Sequence, residues 1–410
     1  MKGHQDKSAQ PTGPNPHFPY TLSWQHQNNE LLRAIITTDP LERYKDASKA
    51  LTSLHKKAHA APALSITDTA VIPPSGDKRD FLSYAPYWWP DPVHPDGPWI
   101  LKDGKTNPDT LQLTQQTDLT AAIGIMRIEA LAELFLGPST YGLYHVVHQL
   151  RVWFVQPSTR MNPNVLYGQV IRNQDPSLWT GRFEGILSVR YLAFIPSLVE
   201  LVRSNCSLWR TKKDDTVMVQ WCEEYLTWLL DPPFKAGTNT SNNNHRSYWA
   251  CQVVEFQRFL GKHEDVISTL CTFVNTYLPL QINPDGYQRL EAHRTRPIHY
   301  ALFNLDALVY LASFSEQLHP ESKVRYYAFW EAQDHAIKRA LDFLLCRHTL
   351  DDVEVQDLDM LHRLITIISH RYGDEDGIYA GFLNDLGPYK KKPYQLTPLF
   401  LSPSPFATRQ

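Results

Sequence analysis

Asn242-Asn243-Asn244-His245 sets three amides beside an imidazole, and Arg294-Thr295-Arg296-Pro297-Ile298-His299-Tyr300 adds two guanidiniums, a second imidazole and a phenol. An asparagine tract disfavours helix and strand alike, so the first run reads as a loop, and it opens directly into an apolar-periodic segment. Neutral donors, a titratable base, guanidiniums and a phenol are the parts needed to take a proton from the carbon next to a carboxylate. Loss of that proton puts a second negative charge on the enediolate. Amide donors and an arginine fork stabilise that charge where it develops. Histidine titrates nearest neutrality, at about 6.5; tyrosine, at about 10, either needs a nearby cation to ionise or acts as the acid. Standing alone, His245 would read as a capping or core histidine, and Tyr300, on an apolar helix, as core. Against these readings stand the flanking amides and, for Tyr300, its place on a first helical turn, where Asn304 shares its face one turn on.

The elements that position these residues are helical. Asn28 to Ala60 carries a helical pattern that ends at Ala61-Pro62, after a polar arm over residues 1–20. Residues 62–110 form a long stretch rich in Pro, Gly and Trp with little periodicity, a length of loop uncommon unless functional. From Asp118 the pattern turns helical: Leu119, Ala122, Ile123, Met126 and Ala130 make one apolar face, stopped by Gly137-Pro138. Val217, Trp221, Tyr225 and Trp228 repeat it, as do Trp249, Val253, Phe256 and Leu260. Tyr300 to Phe314 is apolar nearly all round, which describes an inner helix, and a further helix spans Ser322 to Cys346. Short turns such as Gly261-Lys262-His263 alternate with long polar loops at 157–183, 231–246 and 281–297. Helical hairpins with long loops gathered at one end predict an all-α chain folded as an incomplete (α/α) toroid.

Composition bounds the function. A formal net charge of −3 without a basic stripe excludes the nucleic-acid footprint, though local Arg and Lys can still bind an acidic polymer. Eleven Trp and twenty Tyr supply surfaces with an apolar face and a polar edge, suited to sugar-lined clefts as well as to gaps between helices. Five cysteines, at 206, 222, 251, 271 and 346, show no CxxC spacing, so thiolate metal clusters are not expected and the thiols read as mostly free. No apolar run is long enough to span a membrane, and Met1 to Pro16 lacks the apolar region of a signal peptide.

Phe81-Leu82-Ser83-Tyr84-Ala85-Pro86-Tyr87-Trp88-Trp89-Pro90-Asp91-Pro92, followed by Asp103-Gly104-Lys105-Thr106-Asn107-Pro108, closely resembles the opening signature of the alginate lyase domain family. Later blocks match in the same order: Arg151 to Phe154 with Thr159 to Asn164, then Asn243-Asn244-His245, then Arg294-Thr295-Arg296 with His299 to Leu305. The resemblance covers residues 62–347, the expected catalytic domain, flanked by an N-terminal arm and helix (1–61) and a C-terminal extension (348–410) that completes or packs on the toroid.

The resemblance implies a metal-independent polysaccharide lyase without cofactor. Such an enzyme cleaves a 4-linked uronic acid polymer, alginate or a related uronan, by β-elimination and leaves an unsaturated sugar. The family's Asn-His pair falls on Asn244 and His245 and its tyrosine on Tyr300. Its arginine falls on Arg296 or Arg294, with His293 seven residues before Tyr300. Asn243, Trp88, Trp89, Asn164 and Arg182 are expected substrate-binding residues, with Trp88 and Trp89 either sugar platforms or part of a lid. The family implies an enzyme working outside the cytoplasm on an acidic polysaccharide, and a monomer is expected. One segment departs from the family pattern: in Gly181-Arg182-Phe183-Glu184-Gly185-Ile186-Leu187-Ser188 a serine stands where the family has Asp. Two other readings remain open: a glycoside hydrolase on the same ring, using acids such as Glu184, Asp285, Glu291 or Asp306, and a non-catalytic carbohydrate-binding relative.

Overall fold

The computed structural model describes residues 44–137, 142–172, 175–209, 212–230, 241–316, 318 and 329–401. The polar arm, the start of the first predicted helix, most of the 231–246 loop and the start of the Ser322 helix lie outside them.

Helices follow the apolar periodicity. After α1 (Lys45–His59) come α2 (Gln115–Phe135), α3 (Gly142–Leu150), α4 (Ile195–Asn205) and α5 (Lys212–Leu229). Then follow α6 (Asn244–Phe259), α7 (His263–Thr272), α8 (Pro297–Glu316), α9 (Ala332–Arg347), α10 (Leu358–Tyr372) and α11 (Ile378–Leu386). Residues of α2, α6 and α8 are buried on almost every side, whereas α1, α7 and α9 bury one stripe. Inner and outer helices therefore alternate along the chain, with α1 on α2, α2 on α3, α6 on α7 and α8 on α9. This is the all-α ring of hairpins that the loop asymmetry predicts.

The polar residues on the inner helices are satisfied inside the wall. Asp306, which interrupts the apolar run of α8, is ion-paired to the fully buried Arg363 of α10. Asn304 donates to Gln281 (3.2 Å) and Gln288 (3.0 Å) and accepts from Ser247 of α6 (2.7 Å). Gln281 in turn donates to the carbonyl of Asn243 at 3.2 Å, so this cluster fixes the loop that carries the amide run. The five cysteines are free thiols, of which 206, 222 and 251 are buried.

Residues 62–110 are ordered into a wall across one end of the ring. Strand β1 (Leu82–Tyr84) pairs in parallel with β4 (Tyr167–Val170), and β2 (Trp88–Trp89) forms a short antiparallel pair with β3 (Ile100–Leu101). Gly104, at the tip of this flap, has φ +71 and sits so close to Thr295 that a Cβ would collide with its hydroxyl. No described helix is long and apolar enough to cross a membrane.

Candidate active site

The starts of the inner helices open into one cleft of about 710 Å³. Its lining includes Gln116 and Thr117 of α2, Asn244 and His245 of α6, and His299, Tyr300 and Phe303 of α8. Three helix N-termini thus bring their positive dipole ends to the same space, a favourable setting for an anion. The flap contributes Tyr84, Tyr87, Trp88 and Asp103, and the turn after β4 contributes Arg182, Ser188 and Arg190.

Local sequence explains how the amide run is held. Asn243 is the N-cap of α6, and its side chain accepts from the His245 N–H at 3.3 Å. Its role is to start the helix, and it is not among the cleft-lining residues. Asn244 is buried and doubly held by Glu291: its backbone N–H and its amide nitrogen each donate to a carboxyl oxygen at 2.8 Å. Burial raises the Glu291 carboxyl to about 7, against the lowering effect of the two Asn244 hydrogen bonds and of Arg294 and His299. His245 is half-buried, packs its ring edge-on to Phe183 at 5.5 Å, and has no hydrogen bond to Nδ1 among the described residues. Desolvation, with Arg294 and Arg182 nearby, lowers it to about 3, so the ring is neutral at neutral pH.

Tyr300, on the first turn of α8 behind Pro297, donates its hydroxyl to Tyr87 at 2.8 Å. Burial and then the Tyr87 contact raise its pKa far above that of a free phenol, which outweighs the guanidinium of Arg294 lying 3.7 Å from its ring centre. Tyr300 is therefore held in its protonated form.

The two candidate arginines part company. Arg294 lines the cleft and holds Asp103 of the flap through Nε at 3.2 Å and Nη2 at 2.6 Å, an ion pair that keeps the Asp103 carboxyl at about 2. Arg296 is not among the cleft-lining residues and is tied to Glu354 and, at 3.7 Å, to Asp357, which sets it beside the cleft rather than in its lining. Both stand in the bend just before α8, and their ion pairs, with Asp103 for Arg294 and with Glu354 for Arg296, set the direction of each side chain.

The remaining expectations divide similarly. Arg182 lines the cleft, ion-paired to Glu184 and 5.6 Å from the ring centre of Trp88, which also lines it. Trp89 is part of the flap itself: its indole N–H donates to the Lys105 carbonyl at 2.9 Å, with Lys102 and Lys105 over its ring. Asn164 lies outside the cleft lining and turns its side chain onto the Leu166 N–H at 3.2 Å. Ser188, the departure from the family pattern, is buried and hydrogen-bonded to Ser83 of β1 at 3.3 Å. Close passage of Gly181 and Gly185 against Gly168 leaves no room for a Cβ and brings this turn onto β4.

Several cleft residues carried no sequence signal that assigned them. Arg190 donates to the Leu187 carbonyl at 2.8 Å and the Tyr191 hydroxyl at 3.2 Å, and no carboxylate pairs with it among the described residues. It lies two positions past Ser188, just beyond the segment singled out for its departure. His299 lines the cleft with Nδ1 3.0 Å from Asp357, so the C-terminal extension buttresses the site from behind. Asp103 and Glu184 are the acids that line the cleft, and each is paired to an arginine. Of the other acids weighed for hydrolysis, Asp285 caps Tyr287 in solvent, Glu291 holds Asn244 and Asp306 is in the core.

An all-α ring whose inner helices begin at a cationic, aromatic cleft is the architecture of a polysaccharide-processing enzyme. The family model "Alginate lyase" matches residues 65–353, and the chain belongs to that family. It is a polysaccharide lyase, with an acidic polysaccharide as the substrate class. A crystal structure of an alginate lyase from Bacteroides ovatus superposes with a TM-score of 0.76 at 27% identity, over 90% of this chain and 97% of that one. No curated protein matches the chain significantly.

Proposed function

We propose that this lyase cleaves a 4-linked uronic acid polymer, alginate or a related uronan, by metal-independent β-elimination. The observation that carries the reading is the convergence of Asn244, His245, Arg294 and Tyr300 on one cleft at the N-terminal ends of the inner helices.

The uronate carboxylate lies against Asn244 and the guanidiniums of Arg294 and Arg190, which with the helix dipoles stabilise the charge of the enediolate. His245 takes the C5 proton; the C5–H electrons form the C4–C5 double bond as the C4–O4 bond breaks, and Tyr300 gives its proton to the departing O4. A neutral imidazole and a protonated phenol are the states each role requires at the start, and the substrate's negative charge beside His245 strengthens it as a base. Metal independence is supported by the donor set, because both acids lining the cleft are already committed to guanidiniums. The same commitment argues against a hydrolase, which needs two carboxyls facing the glycosidic bond. Family membership supports a place outside the cytoplasm.

The test is a polyuronate panel read by ultraviolet absorbance of the unsaturated product, with His245→Ala as control. Absorbance must rise on at least one uronan and stay flat with the variant. Folded protein silent on alginate, glucuronan and glycosaminoglycans alike would refute the proposal.

A further inference from the structure

Outside the cleft, where α1 lies on α2 and α2 on α3, a second cluster of ligand-type side chains converges. His55 and His59 are four residues apart on α1 and share a face; Glu129 belongs to α2 and His145 to α3. They flank the apolar seam in which Leu51, Leu54 and Ala58 meet Ile125, Ile128 and Leu131. Glu129 is fully buried, yet neither of its carboxyl oxygens has a hydrogen-bond partner among the described residues. Imidazole nitrogens crowd it instead. Nδ1 of His59 and of His145 stand 3.6 Å and 3.7 Å from Oε1, and Nδ1 of His55 stands 3.2 Å from Oε2. The donor atoms of His59, Glu129 and His145 all lie within 4.8 Å of one another.

A buried carboxylate with no hydrogen-bond donor is costly, so this arrangement calls for a compensating cation. Around a tetrahedral ion with bonds of about 2.0–2.1 Å, neighbouring ligand atoms are separated by about 3.3 Å, close to the two longer spacings here and beyond an aligned N–H···O bond. We propose that His59, Glu129 and His145 bind one divalent ion of the zinc class, with water as the fourth ligand and His55 supporting the second oxygen of Glu129. Two imidazoles and one carboxylate suit zinc and its borderline neighbours, whereas calcium and magnesium favour oxygen-only sets. A partner on the non-ligating side of a metal-bound group is the usual way such a ligand is oriented.

The site is separate from the chemistry. Thr117 lines the cleft at the start of α2, and Glu129 is twelve residues further along, about 18 Å at 1.5 Å per residue. The ion would fasten the N-terminal helix to the ring, joining α1, α2 and α3 through one centre. The sequence shows only the His55-x-x-x-His59 spacing; Glu129 and His145 join it through packing alone.

The experiment uses the full chain without a polyhistidine tag, stripped by a chelator and titrated with zinc. Calorimetry and elemental analysis should give one ion per chain, and the unfolding midpoint should rise by about 3–5 °C at a hundredfold excess over Kd. His59→Ala with His145→Ala should abolish both effects and leave lyase activity intact, since neither residue touches the cleft. His55→Gln should weaken binding by about 10–100-fold. Cobalt(II) substituted into the wild-type protein should show the intense visible bands of a tetrahedral centre, a readout that does not depend on any variant folding. Absence of stoichiometric zinc in folded wild type, equal binding by the folded double variant, or only the weak bands of six-coordinate cobalt would overturn the proposal.

Discussion

Glu291 grips Asn244 at both ends of that residue's polar surface, taking the backbone N–H and the side-chain amide nitrogen at 2.8 Å each. A carboxylate in this place occupies the donor that a uronate would need. A protonated Glu291 can instead donate to the Asn244 oxygen, which turns the amide nitrogen toward the cleft. Because burial raises Glu291 to about 7, both forms are accessible near neutrality.

Activity should therefore fall as pH rises through about 7, as Glu291 loses its proton. Glu291→Gln mimics the protonated form, since its amide donates to Asn244 while its carbonyl still accepts the backbone N–H. The kcat/KM profile of this variant should lack the descending limb near pH 7, and a limb that persists unchanged would assign it to another group.

Stability carries the same signature with a sign that can be worked out. The folded pKa of Glu291, about 7, exceeds the ordinary 4.5, so the native state binds more protons between those values and stability falls as pH rises across the window. His245, lowered to about 3, acts oppositely: the unfolded chain binds the extra proton, so stability is lost as pH falls from 6.5 toward 3. Subtracting the Glu291→Gln denaturation curve from wild type isolates the first effect. The difference should grow by about 2–3 kcal/mol from pH 4.5 to 8.

Tyr300 begins the reaction protonated, held by Tyr87 and kept neutral by burial. Tyr300→Phe should lower kcat by about 10²–10⁴ with KM little changed, as expected for loss of an acid used only in the transition state. Tyr87→Phe removes only the acceptor of that hydroxyl and should cost about tenfold or less. Equal steady-state losses in both variants would mean that the phenol pair, rather than Tyr300, carries the proton.

Much of this was legible in the chain because it is local. Helix periodicity and the stop at Gly261 are written within a few neighbouring residues, and inner helices declare themselves by being apolar all round, as Tyr300 to Phe314 does. Asn244, His245 and Tyr300 could be placed at one mouth because each sits on a first turn. Side-chain direction was not legible. Arg294 and Arg296 are chemically identical and two residues apart; only Asp103 on the flap and Glu354 beyond the matched region give them different partners. Arg190 was hidden for the converse reason: its significance lies in having no carboxylate beside it among the described residues, a property of the fold. Trp88 and Trp89 are neighbours with different surroundings, one on the cleft and one within the flap.

The division between the arginines gives the sharpest comparison. Arg294 lies over Tyr300 and faces the cleft, so Arg294→Ala should lower kcat/KM by at least about 10²-fold, the scale expected when a charge-assisted contact to the developing enediolate is lost. Arg190→Ala removes a cleft cation held only by neutral acceptors and should chiefly raise KM, about 10-fold or more, with Arg190→Lys recovering part of the loss. Arg296→Ala breaks a partly exposed pair with Glu354, worth about 0–1 kcal/mol, and should leave kcat within a few-fold of wild type while slightly lowering the unfolding midpoint. Steady-state kinetics on the best uronan, with salt held constant, check all three. A larger loss in Arg296→Ala than in Arg294→Ala would reverse the assignment and require the start of α8 to rotate when substrate binds.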